Sequence, residues 1–330
     1  MTKPRLLITR RVFDEVIEAL AARFEIESNQ TDDEWTAEQT VVRAADKDAL
    51  FVVASDYVDG ALIDAAPRLR IIATGSVGFN HIDLAACARR GIVVSITPDV
   101  LTEATADMAW TLLMATARRV TEAERWLRDG HWTRWAWDQF LGADIHGATL
   151  GIIGMGRIGS AIARRARGFE MRILYSNRSV APNEAELGAT RVDRDRLLAE
   201  ADHVILVLPY SAATHHTIGA AELAQMKPTA TLVNLARGGI VDDRALAAAL
   251  AEGRIAAAGL DVYENEPAIA PELLEQRHVV LTPHIGSATR STRLSMAMLA
   301  ARNLLAFFDG TTLPTPVTFP GSQPAAGAAE

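Results

Sequence analysis

One cysteine, Cys87, stands in a chain of 330 residues. A single thiol builds no intramolecular disulfide framework, and such usage fits a reducing compartment. Positive charge is also in short supply: 33 Lys and Arg face 41 Asp and Glu, a formal net charge of −8. Nucleic-acid binding wants a basic face, so this balance argues against it. No apolar run approaches the length of a membrane span. Residues 1–11 carry too short an apolar stretch for a secretory signal. The expectation is a cytoplasmic protein that binds neither membrane nor nucleic acid. Apolar residues, by contrast, are plentiful. At 49% of the chain, with a mean hydropathy of +0.09, they suit well-filled α/β cores, and the length allows two domains. Residues 320–330 read as a disordered tail.

Residues 149–179 organise the rest. An apolar run ends in Gly154-Met155-Gly156-Arg157-Ile158-Gly159, a helical pattern follows with Ile158, Ile162 and Ala166 on one side, and a second apolar run reaches Tyr175. Strand, turn, helix and strand make half of a nucleotide-binding unit. Gly154 permits the tight turn, Gly156 lets backbone approach a pyrophosphate, and Gly159 lets helix and strand pack closely. Free N–H groups at the helix start, backed by its dipole, then face the anion. The second strand ends at Asn177-Arg178-Ser179. An NAD site usually has an acid there for the ribose 2′-OH. An Arg beside two small polar residues instead suits a 2′-phosphate, so NADP is expected.

Alternating strand and helix patterns fill the remainder. Strands are expected at 5–9, 49–54, 71–74 and 93–95, and helices at 12–24, 59–66 and 82–90. Thr97-Pro98 gives a hinge. One long helix is expected over 102–127, with Met108, Leu112, Ala115 and Arg119 along a face. Trp126, Trp132, Trp135 and Trp137 then crowd into twelve residues, which suggests a subunit interface. Beyond Asn177 come strands at 204–208, 231–236, 256–262 and 279–281, with a helix at 193–199 and another capped by Asp242. Ligands in such folds lie outside the carboxyl ends of strands, where Pro209, Arg237, Asp261 and His284 fall. In the first domain, Gly75 and Gly78 flank a possible backbone nest for a carboxylate, with His81 nearby in a structural role.

Three segments carry candidates for chemistry: Asn234-Leu235-Ala236-Arg237-Gly238-Gly239-Ile240-Val241-Asp242, Gly259-Leu260-Asp261-Val262-Tyr263-Glu264-Asn265-Glu266-Pro267 and Thr282-Pro283-His284-Ile285-Gly286. With the glycine turn, they resemble the D-isomer-specific 2-hydroxyacid dehydrogenase family in order and spacing, and within it the glyoxylate/hydroxypyruvate reductases. The resemblance spans nearly the whole chain. It implies two doubly wound parallel-sheet domains: a Rossmann-type cofactor domain, residues 99–285, inserted in a flavodoxin-like substrate domain, residues 1–98 plus 286–330. A helical, Trp-rich dimerisation arm would occupy about 102–140. It places a catalytic trio on Arg237, Glu266 and His284.

The chemistry suits those residue types. His284 would give a proton to the carbonyl oxygen of a 2-oxo acid. Glu266 would fix its ring and favour the charged form. Arg237 would polarise the carbonyl and hold the carboxylate. By the same resemblance, Val77 and Gly78 would bind the substrate carboxylate, and Trp135 would reach a partner's substrate pocket, although Ala136-Trp137 departs from the family's Lys-Pro. The cofactor, NADPH before NADH, would meet Thr105, Arg157, Ile158, Leu208, Pro209, Leu235, Ala236, Arg237, Asp261, His284 and Gly286, besides the glycines and residues 177–179. No metal is expected. The expected protein is therefore a homodimeric NADPH-preferring reductase of glyoxylate and hydroxypyruvate. A related dehydrogenase acting on a 2-keto-sugar acid or phosphite, and a non-enzymatic nucleotide sensor, are the alternatives.

Overall fold

Four-residue apolar runs such as Ala-Leu-Phe-Val and Ala-Ala-Gly-Leu are buried throughout, as strands covered on both faces must be. In the computed structural model, which describes residues 2–322, they form two parallel sheets in two separate units. Unit one comprises Met1–Leu101 and Thr289–Glu330, and unit two Thr102–Ala288. The architecture is α/β, with both sheets doubly wound.

Unit one holds β1 (Arg5–Ile8), β2 (Glu25–Ser28), β3 (Ala49–Val52), β4 (Ile71–Thr74) and β5 (Val93–Ser95), in the order β2-β1-β3-β4-β5. Strand β2 escaped the sequence reading. Glu-Ile-Glu-Ser is an edge strand with no fully buried residue, so it carries no apolar run. The helix Ala37–Ala44 was missed for a related reason, since only Ala44 is buried, although Thr36 and Gln39 cap it reciprocally. The expected helix at 12–24 is shorter, Asp14–Ala21. The closing helix, Arg290–Phe308, packs Ala297, Ala300, Ala301 and Leu304 into one core with Leu6, Ile8 and Phe51. Cys87 lies in the other core of this unit, and burial pushes its thiol up to about 12, leaving an unreactive packing residue. Within the expected tail, Ser322 Oγ accepts from the Phe319 N–H at 3.2 Å. Residues 323–330 of that expectation lie outside the described residues.

Unit two holds β6 (Thr149–Ile153), β7 (Arg172–Ser176), β8 (Ala189–Arg191), β9 (His203–Leu206), β10 (Thr231–Asn234), β11 (Ala257–Leu260) and β12 (Val279–Leu281). Their order is β12-β11-β10-β9-β6-β7-β8. The order reverses between β6 and β9, the switch point at which such sheets open a crevice at their carboxyl ends. Asp193 and Asp242 cap the helices that follow them by accepting backbone N–H groups.

The single helix expected over 102–127 is two, Thr102–Ala117 and Val120–Arg128. The break has a tertiary cause. Ala117 O accepts from the Ala143 N–H at 2.8 Å, and Gly142 passes so close that a Cβ would meet that oxygen at 2.3 Å. Arg119 turns left-handed, φ 53°, and pairs with Glu122. Of the face expected on this helix only Leu112 is fully buried; Ala106, Ala109, Trp110 and Leu113 bury other sides. Among the described residues no helix is long and apolar enough to cross a membrane.

Candidate active site

The turn after β6 shows why each glycine stands where it does. Gly154 adopts φ 103°, and a Cβ there would lie 2.7 Å from Val207 O. At Gly159 a Cβ would meet Gly154 O at 2.1 Å, so only glycine lets the helix Arg157–Ala166 approach the turn. Around Gly156 there is nothing within 4 Å. That open space lies at the start of a ten-residue helix whose N-cap supplies no side-chain hydrogen bond. Backbone N–H groups at such an end suit a pyrophosphate, and the residues present therefore fit a dinucleotide.

After β7, Asn177 Nδ2 donates to Ser179 O at 3.2 Å. The Arg178 and Ser179 side chains are exposed. Thr105 is buried near the start of its helix, Ile158 and Leu208 are half-buried, and Leu235, Ala236 and Gly286 are buried at or beyond strand ends.

The segments bearing Arg237, Glu266 and His284 are tied to one another in unit two. Asn234, at the end of β10, accepts from the Ala236 N–H and donates to Arg237 O, which shapes the turn. Gly238 lies so tightly on the segment after β11 that a Cβ would fall 1.6 Å from Tyr263 O. Glu266 accepts from the Tyr263 N–H at 2.9 Å through Oε1 and contacts His284 Nδ1 at 2.6 Å through Oε2. Asp261, buried, accepts from Thr282 Oγ1 and the Ile285 N–H on one oxygen and from the Gly286 N–H on the other. Its carboxylate thus fixes the turn that carries His284, itself at φ 52°.

Charge follows geometry. Burial pushes the Glu266 carboxyl up, but the His284 hydrogen bond and charge, the Tyr263 N–H and the Arg237 charge together hold it below the usual carboxylate range. Burial lowers the Arg237 pKa, with Glu266 acting in the other direction. A guanidinium starts so high that it stays charged at neutral pH. With Nδ1 engaged by Glu266, Nε2 is the remaining ring nitrogen of His284.

In unit one, Val77 and Gly78 are half-buried beyond β4. Thr74 Oγ1 contacts Ser76 Oγ at 2.8 Å and His81 Nε2 at 3.1 Å, and Ser76 donates to Gly78 O at 2.6 Å. His81, buried, shores up this turn. Trp132, Trp135 and Trp137 are exposed by 57%, 64% and 85%, so local packing does not account for them.

Four residues that hold the site together were not found by reading the sequence. Tyr263 is buried and donates through its hydroxyl toward Leu260 O and Thr282 O. Asp243 accepts from the Glu264 N–H, and His216 contacts Glu264 Oε1 at 2.7 Å. Arg191 donates to the carbonyls of Asn177 and Arg178. All four act through partners remote in sequence, and no local motif marks such pairs. His215, His216 and Glu264 bring potential ligand atoms within 4.8 Å of one another, but the 2.7 Å contact is a hydrogen bond that ties two loops.

A switch-point glycine turn, with a His–Glu pair and an Arg at neighbouring strand ends, defines a dinucleotide-dependent oxidoreductase. The chain belongs to the D-isomer-specific 2-hydroxyacid dehydrogenase family: residues 110–286 match "D-isomer specific 2-hydroxyacid dehydrogenase, NAD binding domain". It is 50% identical over 318 residues to the glyoxylate reductase of Thermococcus onnurineus, covering 95% of each chain. It is 51% identical over 318 residues to that of Thermococcus kodakarensis, covering 95% of this chain and 96% of the other. Among solved structures, an NADPH-dependent glyoxylate/hydroxypyruvate reductase from Sinorhizobium meliloti, in complex with NADP and malonate, superimposes with a TM-score of 0.85. It is 38% identical, and the match covers 96% of this chain and 97% of that one.

Proposed function

We propose that this enzyme reduces small 2-oxo acids, glyoxylate and hydroxypyruvate first, to glycolate and D-glycerate, and that it prefers NADPH. The observation that carries the reading is the 2.6 Å contact between His284 Nδ1 and Glu266, within electrostatic reach of Arg237. A reduced nicotinamide, when bound, supplies the hydride. Thr105, the glycines, Arg157, Ile158, Leu208, Pro209, Leu235, Ala236, Asp261 and Gly286 are the residues we assign to holding it. His284 gives the proton from Nε2 to the substrate oxygen while Glu266 steadies the imidazolium. Arg237 draws negative charge onto that oxygen and holds the carboxylate. In oxidation His284 takes the proton back. The backbone at Val77 and Gly78 receives the substrate carboxylate.

Support for the substrates comes from the glyoxylate reductases at about half identity. Support for NADPH comes from Arg178 and Ser179, with no acid at the strand end. We assign the exposed tryptophans to a homodimer contact, with Trp135 toward the partner's pocket, and the enzyme to the cytoplasm. The test is loss of nicotinamide absorbance when purified protein meets NADPH and glyoxylate. His284→Ala should lower turnover by about 10²–10⁴-fold and leave NADPH binding nearly intact. Unchanged turnover would remove the proton-donor role, and binding without any wild-type turnover would favour a sensor.

A further inference from the structure

Arg191 is the last residue of β8, paired in register with Tyr175 of β7. Its guanidinium reaches past the strand end to the loop after β7. Nε donates to Asn177 O at 3.1 Å and Nη2 to Arg178 O at 3.0 Å. One side chain thus gathers two successive carbonyls of the Asn177-Arg178-Ser179 turn.

Both peptide bonds are trans, so each N–H points opposite its carbonyl. Drawing the carbonyls of Asn177 and Arg178 toward Arg191 therefore turns the N–H groups of Arg178 and Ser179 to the other side. Neither N–H donates to any group among the described residues. Successive outward N–H groups form a concavity for an anion. The rest of the loop is braced as well: the Ala181 N–H donates to the Tyr175 hydroxyl, which donates to Glu184 at 2.8 Å. Arg191 also adds a second positive charge beside Arg178.

We infer that Arg191 is a specificity-determining positioning residue, which sets the 177–179 turn to receive a phosphate monoester on the cofactor's adenosine ribose. This rests on the NADPH reading above and extends it to a residue in another strand. Recognition then comes from backbone N–H groups held by one guanidinium and from the side chain of the other.

Calorimetry with 2′,5′-ADP and 5′-AMP, which differ by one phosphate, tests the idea without turnover. Wild type should bind 2′,5′-ADP at least about tenfold more tightly. Arg191→Ala should bring the two affinities to within about threefold, mainly by weakening 2′,5′-ADP, with AMP affinity held. Arg191→Lys keeps the charge but not the two-carbonyl grip, and should recover only part of the preference. Equal binding of both nucleotides by wild type overturns the NADPH reading itself. A wild-type preference that survives in Arg191→Ala overturns this inference alone. Full recovery in Arg191→Lys reduces the effect to charge and overturns the positioning role, as does an equal loss of AMP binding in Arg191→Ala.

Discussion

At the scale of the residue, the ionisation of Glu266 bears on stability and, in the proposed reaction, on chemistry. Its native pKa is depressed, because His284, the Tyr263 N–H and Arg237 outweigh the effect of burial. A carboxyl with a depressed native pKa gives stability that is fully present above its unfolded value, about 4.3, and lost as pH falls through the lower native one. Glu266→Gln should therefore melt below wild type at neutral pH, and the gap should close as the pH drops beneath about 4. A gap that stays constant across an acid titration of melting temperature would show that ionisation of Glu266 contributes nothing. The same substitution should cut turnover, since an amide steadies an imidazolium less than a carboxylate does. Arg237, Glu266 and His284 were legible in the sequence because their flanking segments are distinctive. Asp243 and His216 were not. A lone Asp at a helix start and a His in a loop acquire meaning only through Glu264, which lies more than twenty residues away from each.

At the scale of the element, the turn after β6 separates packing from binding. Gly159→Ala drives a Cβ to 2.1 Å from Gly154 O, backbone that cannot yield cheaply. It should cost about 1–3 kcal/mol in denaturant melts and also damage nucleotide binding. Gly156→Ala meets nothing within 4 Å. It should leave stability within about 0.5 kcal/mol of wild type, yet weaken nucleotide affinity by at least about tenfold, because the methyl group occupies the approach of the pyrophosphate. Equal affinities for wild type and Gly156→Ala would remove the backbone approach from the account. Strands buried on both faces were easily read. The edge strand β2 and the break at Arg119 were not: the first has no apolar run, and the second is imposed by Gly142 and Ala143, which close over Ala117 O.

At the scale of the whole molecule, the exposed Trp132, Trp135 and Trp137 stand beside Leu127 and Leu141, also more than half exposed. Apolar exposure of this density on one short stretch is what the proposed dimer contact would cover. Light scattering should find a dimer, and changing the three tryptophans to serine should weaken it by about 2 kcal/mol or more, roughly a thirtyfold rise in the dissociation constant. A wild-type monomer would remove the interface. By itself the sequence determined the class of fold and the glycine turn, because burial on two faces and a phosphate turn each leave a local pattern, and through its family resemblance it pointed to the His–Glu–Arg candidates. Only the tertiary structure decided which groups support them. The grip of Arg191 on two carbonyls, of Asp261 on the His284 turn and of Gly142 on a helix end are contacts between distant segments, and hydrogen bonds of that kind have no period or spacing along a chain.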